Sequence, residues 1–380
     1  MNYKALLFLC ITVGIFSCKP KEKTAAVNYD NFLNEYIDST VSPGEDFFKF
    51  AMGKWLKNNP IPESERSWGI WTLVNEENYS RIRKINEEAA ANTKAKKGSN
   101  EQKIGDFWFT GMDTVTIEKQ GITPLKPELD KIAAISDPQG VIKMASYLHT
   151  MQVQPLFGNY IFQDEKNSNK FRLHFYQGGI GLPDRDYYFD KDERTVTIRN
   201  EYVKHISKMF QLTGIDAATA DTYAQTIMKM ETDFAGASRK LADLRDPYAN
   251  YNSMAVADVN KLCPAINWES FLADAGIKNI DTIIVGQPEF FKQLNTSLTK
   301  ESVDNWKIYL QWNLINAYAD RLSSDFDKEH FHFYGTILNG TKEQRARWKR
   351  VLDAEEDAMG FLLGQLYVEA YYPPEEKARY

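Results

Sequence analysis

Cysteine, histidine and clustered positive charge are all scarce in this chain, and each shortage removes a class of function. Three cysteines occur in 380 residues, and 46 basic against 52 acidic residues give a formal charge of −6. No block of Lys and Arg stands out, so a nucleic-acid partner is not expected, since phosphate binding needs clustered cations. The five histidines never fall in the pattern His-Glu-x-x-His, the least equipment a helical zinc hydrolase requires. Apolar runs are short as well: the longest, Ala5–Phe16, falls below the ~20 residues that span a bilayer. What is present is an ordinary folding composition, with 43% hydrophobic, 13% aromatic and 26% charged residues. That suits two or three domains or one large helical body.

The first residues read as a processing signal. Lys4 precedes the apolar run, and Ile15-Phe16-Ser17-Cys18 matches a bacterial lipoprotein cleavage box. Residues 1–18 are therefore expected to be a leader ending at Cys18, the lipid attachment site, and residues 19–30 a polar tether. An ordinary secretory peptide that happens to contain cysteine is the alternative. This predicts a lipid-anchored protein of the bacterial cell envelope, facing the periplasm or exterior. Loss of Cys10 with the leader and use of Cys18 would leave Cys263 alone, so no internal disulfide is expected. Between Leu262 and Pro264, Cys263 reads as a small core residue.

Residues 31–380 read as mainly helical. Trp71, Val74, Ile82, Ile85 and Ala89 share one stripe at helical period, with charged residues on the other faces. The polar stretch Asn92–Asn100 interrupts, and Ile104, Phe107 and Trp108 resume the period. Asp137 reads as an N-cap ahead of Pro138 at the first helical position. Helical spacing returns over Arg199–Leu212, Ala217–Ala242, Val303–Leu322 and Lys342–Ala370. One hairpin is expected, from Leu156–Gln163 and Phe171–Tyr176 around the turn Asp164–Asn169, and one further short strand at Ile283–Val285. No fixed-period repeat is present.

Other features invite chemical readings that their geometry discourages. His330 and His332, at i and i+2, diverge on a helix, while His149, His174 and His205 are isolated. Glu355-Glu356-Asp357 reads as a solvated helix face, because adjacent acids diverge and a glycosidase pair must face one gap. Asp184-Arg185-Asp186 reads as a local ion pair and turn. The tryptophans, Trp55, Trp68, Trp71, Trp306 and Trp312 among them, read mostly as core.

Several motifs together carry a resemblance. Pro43-Gly44-Glu45-Asp46-Phe47-Phe48-Lys49-Phe50-Ala51-Met52-Gly53-Lys54-Trp55-Leu56, then Pro60-Ile61-Pro62, resembles the opening of the neprilysin and endothelin-converting-enzyme family of zinc metallopeptidases. The likeness continues through Gly181-Leu182-Pro183-Asp184-Arg185-Asp186-Tyr187-Tyr188, Asp246-Pro247-Tyr248-Ala249-Asn250-Tyr251-Asn252, Phe333-Tyr334-Gly335 and Arg347-Trp348-Lys349-Arg350. It closes on Leu363-Gly364-Gln365-Leu366-Tyr367-Val368-Glu369. Gly44 and Met52 stand where animal members carry cysteine.

The resemblance implies a multi-helical amino-terminal lobe of a neprilysin-like peptidase with one small β-hairpin, which closes over a zinc lobe and admits peptides. It implies zinc for the complete enzyme and none bound by this chain. It also implies a missing carboxy-terminal catalytic domain as partner, and no catalytic residue here. Tyr371–Tyr380 reads as a connection into more structure. Family members place substrate-binding arginines on either side of the position of Gly69; here Ser67 and Asn75 occupy those positions. Arg66, next to the first, and Asn75 are thus the candidate substrate-binding residues. The rival reading is a non-catalytic envelope lipoprotein that binds peptides, glycans or a protein partner.

Overall fold

Short polar residues placed just ahead of helical runs start eight of the described α-helices. In the computed structural model, which describes residues 29–372 and 374–379, side chains of Asp46, Ser99, Asp113, Asp137, Asp192, Asp216, Asn267 and Ser302 each accept the free N–H three residues on. Each such cap is worth about 1 kcal/mol. Bonding to those N–H groups and hydroxyls holds the carboxyls of Asp113, Asp192 and Asp216 below the usual range. The leader, the tether up to residue 28 and Cys18 lie outside the described residues.

Two units follow one another along the chain, dividing at Ile61 and Pro62. In the first, α1 (Tyr29–Tyr36) and α2 (Phe47–Asn58) are joined through Asp38. Its carboxylate accepts from Lys57 Nζ at 2.7 Å and from Thr40 N at 3.1 Å; Lys57 foremost, then Thr40, holds it down at about 2. A Cβ on Gly53 would stand 2.6 Å from Asp38 Cβ, so this position of the opening motif has room only for glycine.

In the second unit, α3 (Ile70–Ala91), α4 (Asn100–Met112), α5 (Thr114–Gln120), α6 (Lys126–Ala133) and α7 (Pro138–Thr150) lead into a hairpin of β1 (Gly158–Asp164) and β2 (Asn167–Tyr176). Next come α8 (Asp186–Phe189), α9 (Glu193–Leu212), α10 (Ala217–Ala237), β3 (Ser253–Ala255), α11 (Val256–Leu262), α12 (Trp268–Asp274) and β4 (Thr282–Val285). The chain continues with α13 (Pro288–Lys300), α14 (Val303–Tyr318), α15 (Ser324–His330), a π-helical turn over Phe331–Leu338, α16 (Arg347–Tyr371) and α17 (Pro374–Lys377). The fold is mainly α, with one sheet of order β1-β2-β4-β3. β1 and β2 pair antiparallel, Tyr160 opposite His174, while β4 lies parallel to β2 with His174 opposite Ile284. The hairpin turn is tighter than the sequence spacing suggests, because Asp164 Oδ1 accepts from Lys166 N and Asn167 N and closes the chain at once.

The main core surrounds an aromatic knot behind the sheet. Phe157 lies 4.8 Å from Phe175 and 5.4 Å from Trp268 between ring centres, and burial of each such ring contributes about 1.5–3 kcal/mol. Cys263 is fully buried in this core, where burial pushes its thiol up to about 12. Trp306 and Trp312 are core residues too, but Trp71 is 82% exposed.

Apart from that core, α3, α4 and α16 form their own small apolar contacts: Ile85, Ala89, Ile104 and Leu363 in one cluster, Trp108, Val351 and Leu352 in another. Two glycines of α4 permit the close approach. A Cβ on Gly105 would meet Ala89 O at 2.6 Å, and one on Gly111 would meet Val351 Cγ1 at 2.6 Å.

Candidate functional site

The first turns of α3 direct apolar side chains outward, although Trp71 to Ala89 read as one stripe of an amphipathic helix and Trp71 as core. Ile70, Trp71, Leu73 and Val74 are exposed, whereas Ile85 and Ala89, further along the same stripe, are buried. On α16, Phe361 is 94% exposed. Between the helices runs a groove of about 720 Å³ lined by Asn75, Asn78, Tyr79, Gly360, Gly364 and Tyr367, with other residues of both helices. Gly360 and Gly364, one turn apart, keep the α16 wall low; no atom lies within 4 Å of a Cβ placed on Gly364. Just before them the helix is kinked at Met359, with φ −140°.

The groove floor is a polar ladder. Arg81 Nη1 donates to Tyr367 Oη at 3.2 Å, and Tyr367 Oη donates to Asn78 Oδ1 at 3.3 Å. Tyr79 and Arg345 both donate to the Asp353 carboxylate. Asn75 is exposed at the groove edge. Arg66 lines a different hollow beside Tyr334, where its Nη1 donates to Asn339 Oδ1 at 2.9 Å. The structure therefore places the two candidate substrate residues in separate hollows of about 720 and 390 Å³.

The motifs that carried the resemblance turn out to be fastenings. Glu231 of α10, 1% exposed, accepts from Tyr188 Oη at 2.6 Å, Tyr202 Oη at 3.0 Å and Trp312 Nε1 at 3.3 Å. Burial pushes its carboxyl up to about 7 against the pull of those donors. Tyr188 Oη also accepts from Leu182 N, so the loop at Gly181 is tied to α10 through one tyrosine. A Cβ on Gly181 would stand 1.9 Å from Tyr202 Oη. Glu231 escaped the sequence reading, although a lone acid four residues after Ile227 and three before Phe234, on an apolar stripe, was a usable signal.

Two local expectations need correction. Asp184 makes the turn, accepting from Asp186 N at 2.8 Å, but Arg185 lies over the Phe189 ring instead of pairing with either neighbour. Burial between helices draws Glu355 off the solvated face assigned to it. It is fully buried between α16 and α3, and both its carboxylate oxygens lack a hydrogen-bond partner. Burial pushes this carboxyl up to about 7, opposed only by the Asn86 side chain.

In the later motifs, Arg350 forks onto Asp327 at 2.9 and 3.0 Å, and Arg347 Nε donates to Gly111 O at 2.8 Å. Asn250 binds the carbonyls of Leu244 and Asp246 and accepts from Arg239 and Gln287.

The histidines are dispersed. His205 pairs with Glu329 at 2.9 Å, His149 with Asn159 at 2.8 Å, and His330 packs on the Tyr334 ring while His332 is exposed. Among the described residues no group of three or more His, Cys, Asp or Glu side chains is placed to hold a metal ion. The described residues do not fit zinc, whose sites need three or four converging ligands.

The model of peptidase family M13, in its amino-terminal part, matches residues 43–380. Endothelin-converting enzyme 1 of Rattus norvegicus is 28% identical over 365 residues, covering 93% of this chain and 47% of that protein. Neprilysin-3 of Drosophila melanogaster is 27% identical over 362 residues, covering 90% and 46%. The crystal structure of the Mycobacterium tuberculosis zinc metalloprotease ZMP1 in complex with an inhibitor agrees with a TM-score of 0.83 at 30% identity, over 90% of this chain and 52% of that one. The chain spans about half the length of the curated relatives it matches.

Proposed function

The chain belongs to peptidase family M13, and on that premise we propose that its helical body encloses peptide substrates for a zinc metalloendopeptidase, with cleavage carried out by a separate zinc-bearing domain. The backbone agreement with a zinc metalloprotease at 30% identity carries this reading. The exposed apolar side chains of Trp71 and Val74 on α3 and of Phe361 on α16 support it, since exposed aromatic surface is typical of a covered interface.

In this reading zinc serves the complete enzyme and peptides are the substrates. Arg66 and Asn75 contribute polar contacts to substrate from separate hollows, Arg66 offering a fork suited to a carboxylate. The lipobox at Ile15–Cys18 supports attachment to a cell-envelope membrane through lipid on Cys18. Among the described residues no helix is long and apolar enough to cross a membrane. Replacing Cys18 with alanine should release the protein from the membrane fraction; continued membrane attachment of that variant would rule out the lipid anchor.

The test of function is hydrolysis of an internally quenched peptide. A product carrying these residues together with a His-Glu-x-x-His helix should cleave it in a chelator-sensitive way, and residues 19–380 alone should leave it intact. Chelator-sensitive cleavage by residues 19–380 alone would overturn the proposal. Peptide binding with no cleavage by either would instead favour a non-catalytic binding protein.

A further inference from the structure

A second cleft, of about 510 Å³, opens against the outer face of the hairpin, where the Gly178–Asp184 loop and the segment after α10 converge on it. Its size lies within the ~300–1,000 Å³ usual for ligand clefts. One wall is aromatic: Tyr160 and Tyr176, both exposed, stand 5.6 Å apart between ring centres. The opposite side adds aliphatic surface from Leu241. Among the described residues, Glu165 and Asp184 are the only charged ones that line the cleft, and neither Lys nor Arg does.

The polar capacity of the cleft is one-sided. Gln177 and Gln287 spend their amides internally, the first on both backbone groups of Arg239, the second on Gln177 N and Asn250. Asp184 uses one oxygen on Asp186 N, and its second oxygen is uncommitted. His174, 4% exposed, stacks flat on Tyr160 at 4.7 Å and brings Nδ1 to 3.8 Å from Glu165 Oε1. A neutral imidazole with its N–H towards that carboxylate presents Nε2 as an acceptor, and Nε2 is buried without a partner. Burial favours this neutral form, against the pull of Glu165 and Asp164. Cations of adjoining segments face other groups: Lys166 lies over the Tyr251 ring and Arg185 over the Phe189 ring, Arg172 pairs with Asp164, Arg239 with Glu289, and Lys240 stands 3.8 Å from Asp186. Negative charge, the uncommitted Asp184 oxygen and two tyrosine rings thus share one hollow, and among the described residues no Lys or Arg lines it to neutralise them.

We propose that this cleft is a secondary recognition site for an arginine side chain of a peptide, the guanidinium lying against Tyr160 and Tyr176 and pairing with Glu165 and Asp184. Guanidinium fits better than ammonium because it is planar, forks onto carboxylates and stacks on aromatic rings. The assignment rests on the reading of this chain as a peptide-enclosing lobe, and gives that lobe a preference for substrates with arginine away from the bond to be cut.

The experiment titrates the full chain with Nα-acetyl-arginine amide and, separately, with its citrulline counterpart, which keeps the shape and loses the charge. The arginine probe should bind about tenfold more tightly at low salt, and the double variant Glu165→Gln, Asp184→Asn should abolish the difference. Both substitutions are isosteric, and Asp184→Asn keeps the oxygen that accepts from Asp186 N, so an unchanged urea midpoint will verify folding. Tyr160→Phe should retain the preference and Tyr160→Ala should weaken it. Equal binding of the two probes, no binding of either at millimolar concentration, or an arginine preference that survives the double variant overturns the proposal. Peptide hydrolysis is read separately, in a product that joins these residues to a His-Glu-x-x-His helix: there, hydrolysis without arginine preference refutes the cleft alone, and arginine preference without hydrolysis refutes the peptidase reading alone.

Discussion

Replacing Glu355 with glutamine should make the protein more stable at alkaline pH and change little in acid. Glu355 is fully buried where α16 meets α3, and neither its carboxylate oxygens nor Asn86 Oδ1 has a hydrogen-bond partner. Burial is the main cause of the discomfort of the charged form: the Asn86 amide beside it favours the charge but is committed to the Ile82 carbonyl at 3.1 Å, so the carboxylate gains no full hydrogen bond. Burial raises the carboxyl from 4.5 to about 7, and the sign of the effect follows from linkage. Below pH 4.5 both folded and unfolded chains hold the proton, and no penalty exists. Between there and pH 7 the unfolded chain releases its proton first, so stability falls as pH rises; above 7 the whole penalty stands. The full shift gives ~3 kcal/mol and solvent screening reduces it towards ~2. Urea unfolding followed by circular dichroism at pH 5, 6, 7 and 8 should show Glu355→Gln gaining this amount over the parent across the range. Glu231, also raised to about 7, contributes equally to both proteins and cancels in the difference. A difference that stays flat with pH, or a variant less stable at pH 8, would refute the reasoning.

Gly181→Ala forces a methyl to within 1.9 Å of Tyr202 Oη and should lower the stability by about 1–3 kcal/mol, read from the urea midpoint. Glu231→Leu strands the hydroxyls of Tyr188 and Tyr202 and the indole N–H of Trp312; a loss of about 2–4 kcal/mol is expected, with Glu231→Gln retaining more stability. Asp327→Ala leaves Arg350 without its fork and should cost about 3 kcal/mol, measured in the same way. The pair Trp71→Ser, Phe361→Ser should raise the monomer fraction in analytical ultracentrifugation, since both side chains are more than four-fifths exposed; self-association unaffected by the pair would mean that these side chains are not adhesive.

Helix positions were largely legible because they depend on neighbours in the chain. The cap at Asp137 followed by Pro138 and the run starting at Val303 appear as read, and the strand read at Ile283–Val285 appears one residue longer, at Thr282–Val285. The hairpin was legible too, although its turn is two residues where the composition suggested six. The motifs were legible as a family signature, yet their work was not. Tyr188 is important for what it does to Glu231, a residue 43 positions away, and no periodicity connects the two. The candidate site was read only partly: Asn75 lines a groove, while Arg66 is turned to Asn339, 273 residues on.

Taken alone, the order of residues determined the helices, their caps, the hairpin and the family, because each rests on short-range spacing or on a pattern of identities along the chain. Which face of a helix meets another helix was decided only in three dimensions. The same stripe of α3 is bare at Trp71 and covered at Ile85, and Glu355 is buried while its neighbour Glu356 is exposed. A helical period says which side chains point the same way; burial depends on whether a segment almost 300 residues distant, such as α16 across from α3, packs against that side.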